Sequence, residues 1–140
     1  MSIKKFFEDI YIETVLIILV MIYQLLHGEK DLHYIIGLSL ALVSFVLWLK
    51  SRYDLGKSFS IKPEAKALVT NGIYSKIRNP MYFFSFFVVL GLIISFNIFY
   101  LYFMSLLLFL IQIVRVKKEE KVLEAKFGEQ YIDYKNKTWF

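Results

Sequence analysis

Cysteine is absent from the 140 residues. That excludes a disulfide framework, a thiolate metal site and a catalytic thiol. Glycine is scarce, with six residues at positions 28, 37, 56, 72, 91 and 128. No two are close enough for a G-x-G-x-x-G fingerprint or a phosphate-cradling P-loop, so a soluble-type nucleotide fold is excluded. The two histidines, His27 and His33, bracket one short polar turn. A metal site there would need Glu29 or Asp31 in compact geometry, and the pair reads instead as turn and interface residues. Internal repeats and low-complexity tracts are also missing. Charge is missing from long stretches: it gathers at the N-terminus, in residues 50–78 and in residues 115–137.

What fills the gaps is apolar. The chain is 58% hydrophobic and 19% aromatic, and this segregation of apolar runs from charge is that of a multi-pass membrane protein. The net charge of +5 fits cytoplasmic loops and anionic headgroups and calls for no nucleic-acid partner. Glu8, Asp9 and Glu13 interrupt the start of the first apolar run, and no small-residue site ends it, so it is not a cleavable signal.

The expected fold is all-α: a single domain over residues 1–140, with about four membrane helices and an amphipathic cytoplasmic C-terminal helix. The first span is about Ile10–Leu26 and the second about Leu32–Leu49, joined by the polar turn His27–Asp31. The uncharged run Met81–Val114 would be roughly 50 Å long as one helix, against a hydrocarbon core of about 30 Å. It must fold back, and Ser95-Phe96-Asn97 is the polar break near its middle. A hairpin of about Pro80–Phe96 and Ile98–Val116 follows. Lys and Arg crowd the loop from Lys50 to Arg78 and the tail from Arg115 to Lys137. The first turn has only Lys30 and the hairpin turn has none. The positive-inside rule puts both termini and the central loop in the cytoplasm. The composition suits a prokaryotic plasma membrane. Ser39, Ser44, Asn97 and Gln112, within the spans, read as helix-packing residues.

Two clusters stand out at the cytoplasmic surface. In the first, Gly72 supplies a turn, and Tyr74 and Tyr82 flank Arg78-Asn79-Pro80. Asn79 is a preferred helix N-cap and Pro80 suits the first helical position. The positive end of that helix and the Arg78 guanidinium converge, which suits a carboxylate or phosphate. An interfacial anchoring belt would use the same residue types. In the second, residues 115–134 read as an amphipathic helix leaving the membrane, broken at Gly128. Val116, Glu120, Leu123 and Phe127 share one stripe, with Glu119 on the flank. A carboxylate in apolar company needs a cationic partner: a lysine on the same helix, Arg115, a ligand ammonium, or Arg78 across the site.

Leu68-Val69-Thr70-Asn71-Gly72-Ile73-Tyr74, followed by Arg78-Asn79-Pro80-Met81-Tyr82 and Gly91, resembles the signature of the isoprenylcysteine carboxyl methyltransferase family, which is related to the phospholipid N-methyltransferases. Leu55-Gly56-Lys57-Ser58-Phe59-Ser60 resembles the family's upstream motif. Glu119-Glu120, Leu123, Phe127-Gly128, Tyr131 and Tyr134 follow its C-terminal pattern. The chain departs from the family at Asn79, where histidine is usual, at Phe84, where glycine is common, and in the tail, where Lys137 stands near a usual arginine. The resemblance implies a membrane enzyme that binds S-adenosylmethionine on its cytoplasmic side. Arg78 and Glu120 would then be the catalytic pair. The cofactor would be held by Gly72, Tyr74, Arg78, Asn79, Pro80, Tyr82, Glu119, Glu120, Leu123, Phe127 and Tyr131. Arg78 would meet its carboxylate and Glu120 its ammonium, an aromatic ring of Tyr74, Tyr82 or Tyr131 its sulfonium, and Leu123 and Phe127 its adenine. The acceptor implied is a lipid or prenylated substrate, most readily a carboxylate, because a carboxylate nucleophile needs no base and the cytoplasmic side has no histidine. The alternatives are a phospholipid amine acceptor, an NADPH-dependent sterol-type reductase, and a membrane protein without catalysis.

Overall fold

The computed structural model describes residues 3–55 and 68–140, with side chains from residue 12 onward. The motif Leu55–Ser60 falls outside the described residues except for Leu55. Helix α1 spans Ile3–His27, α2 Leu32–Leu55, α3 Pro80–Phe96, α4 Phe99–Phe127 and α5 Glu129–Lys137, with a short 3-10 turn at Gly72–Ser75 between α2 and α3. Among the described residues there is no strand, only an isolated parallel bridge between Ile77 and Trp139. The all-α, membrane-type architecture is as expected.

Local chemistry sets the breaks. Asp31 starts α2: its Oδ1 accepts the Tyr34 N–H at 2.7 Å, which satisfies one of the donors a helix start leaves open. The hairpin turns at Asn97, which sits in the left-handed region (φ 52°) and donates its N–H to Ile93 and Ile94. Asparagine tolerates this conformation better than most residues. Gly128 ends α4 at φ 52°. One boundary differs from expectation. The segment after Val116 is not a separate helix, because α4 runs unbroken to Phe127. Nothing between Val114 and Gly128 breaks a helix, and Lys, Glu, Leu and Ala favour one.

Helices α2 and α4 are long and apolar enough to cross a membrane, and Ile12–His27 and Pro80–Phe96 are shorter apolar helices. The main packing is α2 against α3, where small residues let the backbones close in. A Cβ on Gly91 would lie 2.6 Å from the Ala41 nitrogen and 2.7 Å from the Gly37 carbonyl oxygen. Toward the loop end of this pair, Trp48, Ile77 and Phe84 form a buried cluster that also takes in Phe140. Phe84, where the resemblance leads one to expect glycine, is thus a core residue. Gln24 ties α1 to α3 by donating to the Ser95 carbonyl at 2.8 Å. Helix α4 stands apart, with only 11% of its apolar window buried; Phe99, Phe103, Leu106, Leu107 and Leu110 are exposed along it. An apolar helix so little covered by protein is suited to hydrocarbon surroundings.

Candidate active site

Both sequence clusters meet at one end of the bundle. Asp54, in the last turn of α2, accepts the Ile73 N–H at 2.9 Å and lies 3.5 Å from Lys50. It fixes the Gly72–Ser75 turn against α2. Gly72 has φ +57°, and a Cβ there would collide with the Asp54 carboxylate; both facts call for glycine. The turn delivers Tyr74, buried, and then Arg78 at the foot of α3. Tyr134 on α5 donates its hydroxyl to the Tyr74 carbonyl at 2.7 Å. Burial pushes the Tyr134 hydroxyl up to about 12 and that of Tyr74 higher still, so both stay protonated and Tyr134 remains a donor.

Arg78 is the hub. Its Nε donates to Glu120 Oε1 at 3.0 Å, and its Nη1 donates to the carbonyls of Lys135 and Thr138, each at 3.0 Å. Lys135 Nζ lies 3.4 Å from Glu120 Oε2. The Arg78 and Glu120 side chains are 16% and 15% exposed, so the pair is shielded yet reachable. Glu120 therefore meets Arg78 across the helices, not a lysine of its own helix, as the stripe with Val116 allows. Its neighbour Glu119 reaches the other way and accepts the Tyr82 hydroxyl at 2.5 Å. Arg115 acts on it as a nearby positive charge, but among the described residues no cation forms an ion pair with Glu119.

The remaining expected residues divide. Asn79 is buried and occupies the N-cap position, but its side chain makes no capping bond. Its Nδ2 donates to Glu120 Oε1 at 3.4 Å, which turns the amide toward an ionised carboxylate, a strong acceptor. Nor are the N–H groups that lead into α3 open to an anion: those of Arg78 and Asn79 go to the carbonyls of Trp139 and Phe140. Pro80 opens α3 as expected. Leu123 and Phe127 are half-buried on the Glu120 stripe. Tyr131 is 1% exposed and packs beside Tyr134, so its ring presents no open face.

Sequence reasoning missed Asp54, Lys135 and the extended tail Thr138–Phe140. Trp139 donates its N–H to the Lys76 carbonyl at 3.0 Å, completing a clasp over the loop. The run of β-branched and aromatic residues at Thr138-Trp139-Phe140 was the available signal, too short to act on alone.

A bundle of apolar helices with a shielded Arg–Glu pair and a tyrosine-bound carboxylate at one end defines a membrane-associated enzyme type. The chain belongs to the phospholipid methyltransferase family, whose model matches residues 32–130. It is a methyltransferase, and the likeness read from the sequence holds at the level of this related family. No curated protein and no solved structure matches.

Proposed function

We propose that the protein is an S-adenosylmethionine-dependent methyltransferase that acts at the cytoplasmic membrane surface on the amine headgroup of a phospholipid. The residues present suit a cofactor with a zwitterionic end. Arg78 Nη2 has no partner among the described residues, since the ion pair and tail contacts use Nε and Nη1. Among the described residues, Glu120 Oε2 has only Lys135 at 3.4 Å, and a carboxylate oxygen accepts more than one donor. Arg78 would hold the carboxylate, Glu120 the ammonium, and Leu123 and Phe127 would offer apolar surface to the base. When bound, the cofactor supplies an electrophilic methyl group on sulfonium. The chain's task is then to orient the acceptor and to exclude water.

The observation that carries the amine reading is Glu119, bound to Tyr82 and outside any ion pair among the described residues. It would attract a cationic headgroup and repel a carboxylate. An ammonium must lose a proton before nitrogen can attack, and Glu119 is the carboxylate that would take it. The base that the sequence seemed to lack is thus a glutamate, which shifts the preference away from an isoprenylcysteine carboxylate. All four apolar helices are read as crossing the bilayer, with both termini and the central loop cytoplasmic.

The test is calorimetric titration of the detergent-solubilised protein with S-adenosylhomocysteine and, in parallel, NADPH, followed by methyl incorporation into phosphatidylethanolamine vesicles or a prenylcysteine. Binding of the homocysteine compound alone and labelling of the amine lipid are expected. NADPH binding alone would move the chain to the reductases. Labelling of the prenylcysteine alone would restore the carboxylate acceptor.

A further inference from the structure

Next to Glu119, on the outer face of α4, lies a shallow groove of about 340 Å³ lined by Leu110, Ile111, Val114, Arg115 and Lys118. The spacing puts all five on one face of the helix. Leu110, Ile111 and Val114 are 52%, 43% and 52% exposed, so the walls are apolar and uncovered. The two cations close one end. Neither forms an ion pair among the described residues, whereas Arg78, Lys50 and Lys135 all do. Glu119, one turn on from Arg115, turns its carboxylate to Tyr82 and feels Arg115 as a nearby charge without forming an ion pair.

The arrangement has direction. Val114 ends the apolar run and Arg115 begins the charged one. The groove therefore straddles the level where hydrocarbon gives way to headgroups. An occupant must be apolar along about one helical turn and anionic at the end next to Arg115 and Lys118. We propose that this groove is a binding site for an anionic phospholipid, its phosphate between Arg115 and Lys118 and its acyl chain along Leu110, Ile111 and Val114. The site lies on the opposite face of the helix from Glu120, with Arg115 at its border toward Glu119. A second, neutral apolar helix would desolvate both cations with no ion-paired anion, which is costly; a lipid phosphate neutralises them.

Native mass spectrometry of the full chain released from nonionic detergent tests this, with phosphatidylglycerol and phosphatidylcholine offered in equal amounts. Each interfacial cation favours anionic lipid by roughly five-fold. A preference for phosphatidylglycerol on the order of ten-fold is therefore expected, weakening as salt rises. The double variant Arg115→Gln/Lys118→Gln should lose it. Lys117→Gln/Lys126→Gln removes the same charge from the same helix outside the groove and should keep it; an unchanged helical circular dichroism signal checks the fold of both. Equal retention of the two lipids by the wild type would overturn the proposal. So would equal loss in both double variants, which would reduce the effect to bulk charge. A wild-type dimer that becomes monomeric in Arg115→Gln/Lys118→Gln would make this face an interface between copies and overturn it as well.

Discussion

Adjacent glutamates on one helix rarely have separable roles, yet Glu119 and Glu120 face different partners. Glu120 sits between Arg78 and Lys135. Removing it leaves the shielded Arg78 and the more exposed Lys135 without their counter-charge, and the cost at Arg78 falls on whatever the site binds. Glu119 accepts the Tyr82 hydroxyl and, among the described residues, has Arg115 as a nearby charge but no ion pair. Glu120→Ala should therefore weaken S-adenosylhomocysteine binding by roughly ten- to a hundred-fold. Glu119→Ala should leave that affinity within about three-fold while lowering methyl incorporation into an amine lipid by about a hundred-fold or more, the range typical of a lost general base. Calorimetry and a label-transfer assay on the same preparations separate the two. Equal losses of affinity would mean that both carboxylates serve the cofactor, and the proton-acceptor role of Glu119 would fall. The separate facing was legible in the sequence, because Val116, Glu120, Leu123 and Phe127 form a stripe that leaves Glu119 on its flank. The partner of Glu119 was not, since Tyr82 lies 37 residues away and only the hairpin brings it near.

At the scale of elements, the hairpin was legible to the residue at its first arm. Asn79-Pro80 and Asn97 are local signals whose effect on the backbone does not depend on the rest of the fold. The end of α4 was read too early because a membrane boundary is a change of solvent, not of backbone, and the helix crosses it. The C-terminal clasp was nearly illegible for the converse reason: its bonds run between backbone groups of Lys76–Asn79 and Trp139–Phe140, and the short run Thr138-Trp139-Phe140 is its one side-chain signature. Gly91 lies between these cases. Its place in a motif was visible, but its reason is the approach of α2. Gly91→Ala would press a methyl group onto the Ala41 nitrogen and the Gly37 carbonyl oxygen, at 2.6 and 2.7 Å. Backbone of a packed helix cannot move aside as a side-chain tip would. The variant should lose about 1–3 kcal/mol, read as a lower midpoint of denaturation in detergent. An unchanged midpoint would show that α2 and α3 do not hold this close contact in the membrane environment.

For the molecule as a whole, the asymmetry of charge makes the strongest claim. The loop from Lys50 to Arg78 and the tail from Arg115 to Lys137 are rich in Lys and Arg, the turn after α1 has Lys30 alone, and the turn after α3 has none. Translocating either basic segment is disfavoured, so the proposed orientation keeps both inside. The hairpin arms strain this arrangement. Helix α3 has 17 residues, about 25 Å of length against a hydrocarbon thickness of about 30 Å. Modest bilayer thinning accommodates such a mismatch at a fraction of a kcal/mol per Å, so the hairpin tip should still reach the far surface, though at shallower exposure than the first turn. The absence of cysteine makes the test direct, because any introduced thiol is the only one. With a membrane-impermeant maleimide on intact cells, Lys30→Cys should label quickly and Phe99→Cys more slowly, while Asn136→Cys should label only after the membrane is opened. Labelling of Asn136→Cys in intact cells would invert the orientation and put the Arg78–Glu120 site on the wrong face for a cytoplasmic cofactor. A Phe99→Cys thiol that stays unlabelled from both sides would mean that α3 and α4 turn back within the bilayer. In that case the site would stand on a re-entrant hairpin, with α2 and α1 alone spanning the membrane.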